Sequence, residues 1–159
     1  MIEVGDAAPD VTLSLPDRDV GLGAFRGHPL VLYFYPKDMT PGCTSEAIDF
    51  SRLAPRFAAA GATVIGVSRD PAASHAKFAD RHGLVHALAS DEDGSVCEAF
   101  GVWVENSLYG RRFMGIERAT FLIDGAGRVA RVWRKVKVKG HADAVLAAVD
   151  ALEADDSTR

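Results

Sequence analysis

The 159-residue chain is 48% apolar and 25% charged, proportions typical of a globular protein large enough to bury its own core. Its formal net charge of -4 argues against a surface built to bind nucleic acid. Its two cysteines, Cys43 and Cys97, are too few for the disulfide framework of a small secreted protein. We therefore expect residues 1–159 to form a single cytoplasmic domain.

The chain carries no recognisable membrane or export signal. Its acidic start, residues 1–6, lacks the basic and apolar regions of a signal peptide. No apolar run approaches the roughly 18 residues that a membrane-spanning helix needs. We expect no membrane partner.

The first two thirds of the chain alternate between strand and helix patterns. The predicted elements are a hairpin over 11–25, a strand over 30–35, a helix over 44–60 that bends at Pro55, a strand over 63–68, a helix over 72–82, a weaker strand over 85–89 and a short helix carrying Cys97 and Phe100. Residues 103–117 have no clear period, which predicts a long loop.

The last third predicts a hairpin and a helix. Residues 119–123 and 128–138 flank a glycine-containing turn, and lysines alternate with valines at the end of the second strand, as on a strand with one solvated face. A helix over 141–153 and a frayed tail over 154–159 complete the chain. Together the elements predict an α/β fold, a mixed sheet with helices on both faces.

Cys43 lies where the predicted strand 30–35 gives way to a helix. Pro36, Pro41 and Gly42 favour a tight loop before it. The start of a helix leaves backbone N–H groups unpaired, and their partial positive charge favours a thiolate over a thiol. Cys43 is therefore a candidate nucleophile; the alternative is a small buried apolar residue, the usual fate of a free cysteine.

The residues around Cys43 resemble a known active-site motif. Pro36, Thr40 and Cys43 match the Pro-x-x-x-Thr-x-x-Cys motif of peroxiredoxins, and Tyr-Pro-Lys-Asp-x-Thr-Pro-Gly-Cys-Thr is closely similar to the peroxiredoxin Q (bacterioferritin comigratory protein) branch. The similarity continues through 115–121 and 133–141. It implies a thioredoxin-like fold with an N-terminal β-hairpin.

The resemblance also implies roles for individual residues. Cys43 is the peroxidatic cysteine, whose thiolate attacks a hydroperoxide and becomes a sulfenic acid. Thr40 offers its hydroxyl to the peroxide, and backbone N–H groups near Gly42 add fixed donors.

Three further residues complete the implied site. Arg118 matches the arginine that comes from a later strand to lie beside the thiolate, although an arginine considered alone is more often a solvated surface residue. Pro36 shields the thiolate from water as well as ending the strand. Glu46 either orients Arg118 or is simply an acid favoured in the first turn of a helix.

Cys97 is a candidate resolving cysteine, but its position departs from the branch. The resolving cysteine usually lies five residues after the first one or in the next helix, and here those places hold Ile48 and a cysteine-free helix around Ala79. A disulfide between Cys43 and Cys97 would require local unfolding. We expect a one-cysteine mechanism, with Cys97 as a buried small residue.

The resemblance implies a monomeric thiol-dependent peroxidase for hydrogen peroxide and organic hydroperoxides. It needs no cofactor, and its reductant is thioredoxin, glutaredoxin or a low-molecular-weight thiol. Five scattered histidines lack metal-ligand spacing, so we expect no metal. Two alternatives are a thiol-disulfide oxidoreductase, disfavoured because 43–46 lacks a second cysteine, and a redox-sensing or chaperone-like binding protein.

Overall fold

The computed structural model describes residues 1–157. Its elements, in chain order, are β1 (Thr12–Ser14), β2 (Asp19–Gly21), a 3-10 turn (Leu22–Phe25), β3 (Leu30–Phe34), α1 (Pro41–Arg52), α2 (Ala54–Ala59), β4 (Thr63–Ser68), α3 (Ala72–His82), β5 (Ala87–Ser90), α4 (Ser95–Ala99), β6 (Trp103–Leu108), β7 (Arg111–Ile116), β8 (Ala119–Ile123), β9 (Val129–Trp133) and α5 (His141–Ser157).

A five-stranded mixed sheet in the order β5-β4-β3-β8-β9 forms the centre of the protein. β3, β4 and β5 run parallel, whereas β8 is antiparallel to β3 and β9 is antiparallel to β8. The pairs β1-β2 and β6-β7 form separate two-stranded sheets. The predicted α/β class is confirmed, and the arrangement is thioredoxin-like.

All five side chains of the central strand β3 are buried. Alternate side chains of a strand point to opposite faces of the sheet, so both faces of β3 are covered. Val31 and Tyr33 face a cluster formed with α1, α2, α3 and α5. Leu32 and Phe34 face a second cluster formed with α4 and the N-terminal hairpin. The carboxyl end of β3 therefore leads directly from a rigid core into the loop before α1.

The helix predicted over 44–60 begins earlier and is divided. α1 begins at Pro41, since proline suits the first turn of a helix, where its missing N–H has no partner to lose. Leu53 separates α1 from α2, and Pro55 lies in the first turn of α2, so the expected bend is a complete break. The early start puts Cys43 in the first turn of α1.

The prediction of a long loop over 103–117 is wrong, because this segment forms the β6-β7 hairpin. Tyr109 (φ 53°) and Gly110 (φ 77°) connect the strands, and positive φ at both central residues is typical of the tightest hairpin turns. Most side chains of the hairpin are exposed or half-buried on both faces, so the apolar alternation that marks a half-buried strand is missing from the sequence.

The second strand predicted over 128–138 is also too long, because β9 ends at Trp133. Lys135 takes a positive φ of 48°, which takes the backbone out of the extended conformation. The N–H of Val136 instead donates a hydrogen bond to the carbonyl of Arg118 (3.0 Å). The lysines in 134–139 are exposed and the valines are half-buried. The predicted alternation of exposed and covered side chains is therefore present, although this segment is not a strand.

The first hairpin and the last helix differ slightly from their predicted bounds. The first hairpin returns through β2, and the last part of the predicted strand 20–25 is the 3-10 turn. α5 continues to Ser157, and the remainder of the expected frayed tail, residues 158–159, lies outside the described residues. Within residues 1–157, no helix combines the length and apolar character needed to cross a membrane.

We predict that Phe100→Ala strongly destabilises the protein. The buried Phe100 ring lies 5.2 Å from the ring of Phe34 and 4.9 Å from that of Phe121 (centroid distances). Truncation leaves a cavity in the core and should lower the free energy of unfolding by about 3–5 kcal/mol. Urea unfolding measures this, with exposed Val85→Ala as the control; equal losses in both variants would contradict the packing described.

Candidate active site

The loop that joins β3 to α1 carries the candidate nucleophile. Pro36 and Lys37 are exposed, whereas Asp38 is buried. The chain turns at Met39, which has a positive φ of 67°, and Thr40 becomes the extended N-cap of α1. Cys43 follows in the first turn with only 1% of its surface exposed. This turn presents unpaired N–H groups near the sulfur.

Arg118 lies beside Cys43 although 75 residues separate them. β8 pairs antiparallel with β3, and its first residue, Ala119, is in register with Phe34, the last residue of β3. The residue before β8 is therefore brought next to the loop after β3. Nη2 of Arg118 donates a hydrogen bond to Sγ of Cys43 at 3.3 Å. The guanidinium is thus a permanently charged hydrogen-bond donor fixed at the sulfur.

Gly42 gives the guanidinium room to approach the helix. A Cβ added at Gly42 would lie 3.2 Å from Nη2 of Arg118, tighter than ordinary van der Waals contact. Any side chain here would press on the group that contacts Cys43. Glycine at this position is therefore explained by the space that Arg118 needs as well as by the tight loop.

Glu46 is buried one turn after Cys43 and accepts a 2.6 Å hydrogen bond on Oε1 from Nη1 of Arg118. Within residues 1–157 its other oxygen, Oε2, has no hydrogen-bond partner. Burial raises the pKa of Glu46 to about 7, against the opposing charge of Arg118. Burial works against the charge of Arg118 too, but Glu46 and Cys43 outweigh it and raise the pKa of the guanidinium above its ordinary value.

The hydroxyl of Thr40 donates a 2.8 Å hydrogen bond to the carbonyl of Lys37. It makes no capping hydrogen bond to α1 within the part of the chain that the structure describes, although threonine is a common N-cap. With its proton committed to Lys37, the Thr40 oxygen retains lone pairs that can accept a hydrogen bond. Its backbone carbonyl accepts from the N–H of Thr44 at 2.9 Å.

The structure does not bring Cys97 near this site. Cys43 belongs to the core cluster on one face of the sheet and Cys97 to the cluster on the other face. Cys97 is fully buried in α4, where its N–H donates a 2.8 Å hydrogen bond to Asp91. Burial, followed by the nearby carboxylate of Asp91, raises the pKa of the Cys97 thiol well above its ordinary value. A buried thiol with a raised pKa is a poor nucleophile.

A buried polar cluster beneath the loop was not found from the sequence. It joins Asp38 to Asp70 and to His75 of α3, whose candidate ligand atoms lie within 4.8 Å of one another. Both nitrogens of His75 are already engaged in hydrogen bonds, so the cluster is a hydrogen-bonded network and not an open set of metal ligands. Separations of more than thirty residues leave no spacing pattern to read.

Comparison with known proteins places this geometry in a family. The model of the AhpC/TSA family matches residues 4–132. The chain belongs to this family. Peroxiredoxin Bcp of Xanthomonas campestris pv. campestris is 51% identical over 152 residues, which cover 95% of each chain. Peroxiredoxin Bcp of Bacillus subtilis is 49% identical over 141 residues, 88% of this chain and 90% of the other.

Solved structures of proteins from the AhpC/TSA family have the same fold as this chain. The bacterioferritin comigratory protein of Xanthomonas campestris, solved as trapped-intermediate and ligand complexes to study alkyl peroxide reduction, superposes with a TM-score of 0.88 at 49% identity, covering 96% of this chain and 98% of that one. A cysteine-to-serine mutant of Xylella fastidiosa PrxQ gives a TM-score of 0.90 at 41% identity, with 95% and 97% coverage. The predicted peroxiredoxin Q branch is confirmed.

We predict that Glu46→Gln changes the pH dependence of stability. With a folded pKa of about 7 against an ordinary value of 4.5, Glu46 retains its proton on folding where the unfolded chain has lost it. The stability that Glu46 contributes is fully present at pH values below its ordinary pKa of 4.5. This contribution is lost as the pH rises through its folded pKa of about 7. Wild type should therefore lose stability relative to the variant as the pH rises through this window.

Urea unfolding of both proteins at several pH values across the window measures the difference. Glu98→Gln, which alters an exposed acid of α4, is the matched control and should keep the wild-type pH dependence. Parallel curves for wild type and Glu46→Gln would contradict the proposed titration of Glu46.

Proposed function

We propose that this chain reduces hydrogen peroxide and organic hydroperoxides with electrons from an external thiol, and that Cys43 is its reacting group. Membership of the peroxiredoxins supports the class of reaction, because these proteins are thiol-dependent peroxidases. The observation that carries the choice of Cys43 is its 3.3 Å contact with Nη2 of Arg118 in the first turn of a helix. A cysteine kept only for packing has no need of a guanidinium at its sulfur.

The proposed reaction is a displacement at oxygen. The Cys43 thiolate attacks the terminal oxygen of the hydroperoxide, an S–O bond forms and the O–O bond breaks. The sulfur loses two electrons and becomes a sulfenic acid, and the departing oxygen takes up a proton to leave as water or an alcohol. Negative charge moves from sulfur to oxygen during this step, so fixed positive charge near both atoms lowers the barrier.

Three features near Cys43 suit this charge movement. The guanidinium of Arg118 carries permanent charge and several donors in a rigid fork. The N–H groups of the first turn of α1 add partial positive charge. The Thr40 oxygen, whose own proton is donated to Lys37, accepts a hydrogen bond from a protonated peroxide and so orients it. We assign Pro36, exposed at the mouth of the loop, the role of limiting water access to the thiolate.

Glu46 and Gly42 support the reacting groups without touching the peroxide in this proposal. Glu46 holds Nη1 of Arg118 at 2.6 Å and thereby directs Nη2 to the sulfur. Gly42 leaves space for that guanidinium. We therefore favour the orienting role of Glu46 over that of a simple first-turn acid, since it is buried and paired.

For the return to the thiol we propose a one-cysteine mechanism. The position of Cys97 on the opposite face of the sheet, its burial and its raised pKa all disfavour attack on a sulfenic acid at Cys43. The sulfenic acid is then reduced by thioredoxin, glutaredoxin or a low-molecular-weight thiol. We further propose that residues 1–159 act as one domain in a monomeric, cytoplasmic protein.

We predict that Cys43→Ser abolishes peroxide consumption, because a serine hydroxyl is not ionised at neutral pH and is a far weaker nucleophile. Loss of hydrogen peroxide in the presence of dithiothreitol measures the activity. Cys97→Ser is the matched control and should retain it. Activity in Cys43→Ser comparable to that of wild type would overturn the assignment of the nucleophile.

We predict that one equivalent of hydrogen peroxide, without added thiol, adds one oxygen to both wild type and Cys97→Ser. A sulfenic-acid reagent should trap the product at Cys43. Intact mass spectrometry measures the change. A loss of two hydrogens in wild type that is absent from Cys97→Ser would instead mean a Cys43–Cys97 disulfide, and would contradict the one-cysteine mechanism.

A further inference from the structure

Asp38 is a buried carboxylate in a loop whose preceding two residues are exposed. The hydroxyl of Tyr35 donates a 2.6 Å hydrogen bond to its Oδ1. Ser74 Oγ and His75 Nδ1, both from α3, lie 2.8 and 2.7 Å from its Oδ2. Although burial disfavours its charge, the hydrogen bonds from His75 and Tyr35 outweigh this and hold the pKa of Asp38 below its ordinary value.

Both ring nitrogens of His75 face hydrogen-bond acceptors. Its Nδ1 faces the Asp38 carboxylate at 2.7 Å, and its Nε2 faces the backbone carbonyl of Ala89 at 3.0 Å. Both partners only accept hydrogen bonds, whereas a neutral imidazole offers one donor and one acceptor. Neither neutral tautomer satisfies both contacts, so the hydrogen-bond geometry suits an ion pair between Asp38 and His75, whose side chains are 1% and 3% exposed.

The backbone of the loop is also held at Asp38, through its N–H group. The N–H of Asp38 donates a 2.9 Å hydrogen bond to Oδ2 of Asp70, which also accepts a 2.6 Å hydrogen bond from Ser68 at the end of β4. The next residue, Met39, has a positive φ of 67°, a conformation that costs a non-glycine residue free energy. Its side chain is 42% exposed, so packing of that side chain does little to hold the turn. The contacts of Asp38 instead fix the backbone beside it.

We propose that the Asp38–His75 ion pair is a positioning device that holds the 37–40 segment so that Thr40 and the first turn of α1 stay aligned on a peroxide at Cys43. Asp38 occupies a variable position of the Pro-x-x-x-Thr-x-x-Cys motif and His75 lies outside it, and the hydrogen bond to the sulfur comes from Arg118. They act through the turn at Met39, which leads directly into Thr40. This inference rests on the proposed peroxidase function.

Breaking the pair should misalign the loop without removing the thiolate. Removing either partner leaves a buried charge uncompensated, and the segment can relax the backbone at Met39 by moving. Attack on a peroxide depends on the geometry of several groups around the oxygen, so small displacements slow it strongly. Alkylation by iodoacetamide depends chiefly on ionisation of Cys43 and on access to it. The two reactions therefore separate alignment from thiolate formation.

The test compares Asp38→Asn, His75→Gln and the double variant with wild type, all fully reduced. Stopped-flow measurement gives the rate of sulfenic acid formation with hydrogen peroxide, and a parallel assay gives the rate of alkylation. We expect each single variant to react with peroxide about tenfold or more slowly, in line with the cost of misplaced reacting groups, while alkylation changes little. The double variant should be no slower than the slower single variant, because the two residues act as one pair.

His86→Gln is the matched control. His86 is also a buried histidine with two polar partners, Tyr33 OH at 2.6 Å and Ser51 Oγ at 2.9 Å, but it contacts no residue of the 36–42 loop through them. It should leave both rates near those of wild type. Folding of every variant is checked by circular dichroism and thermal unfolding.

Folded Asp38→Asn and His75→Gln proteins that react with peroxide at the wild-type rate would overturn the proposal. An equal loss of rate in His86→Gln would also overturn it, since the effect would then belong to the core in general. Should either pair variant not fold, Ser74→Ala and Tyr35→Phe each remove one hydrogen bond that holds the Asp38 carboxylate against His75, and so loosen the pair. A slower peroxide reaction with unchanged alkylation supports the proposal, and unchanged rates overturn it.

The same experiment keeps this inference separate from the proposed function. If wild-type protein forms no sulfenic acid at Cys43, the peroxidase assignment itself fails. If wild type reacts and the pair variants react equally well, only the positioning role fails.

Discussion

The ion pair between Arg118 and Glu46 joins the helix that carries Cys43 to the residue just before β8. A buried carboxylate is costly unless it is paired, and Arg118 is the partner that makes the position of Glu46 tolerable. The guanidinium that satisfies Glu46 through one nitrogen reaches Cys43 through the other. The chemistry of the sulfur thus depends on the antiparallel pairing of β3 with β8, which brings the two segments together.

A second buried ion pair supports the other side of the same loop. Asp38 and His75 join the loop to α3, whereas Glu46 and Arg118 join α1 to the residue before β8. Buried ion pairs contribute little net stability, because desolvation offsets much of their attraction, but their geometry is demanding. Their value here is that they hold a short loop with a positive φ at Met39 in one conformation.

The sheet also separates the two cysteines. β3 is covered on both faces, with Cys43 packed on one side and Cys97 on the other. A disulfide between them would require the sulfurs to approach to bonding distance, and the intact sheet prevents this. The topology that rigidly supports Cys43 is therefore the same feature on which the proposed reduction by an outside thiol rests.

Local patterns in the sequence determined much of the architecture: β4 and α3 have the predicted bounds, and the motif around Cys43 identified the candidate residues and the family. Apolar periodicity and helix-start residues act over a few positions, so they can be read directly. The β6-β7 hairpin and the end of β9 were missed, since an exposed ribbon has little apolar alternation and a positive φ at Lys135 has no sequence signature. Only the tertiary structure decided that Arg118 meets Cys43 in space and that His75 meets Asp38, because strand pairing and helix packing, which act between distant segments, bring these side chains together.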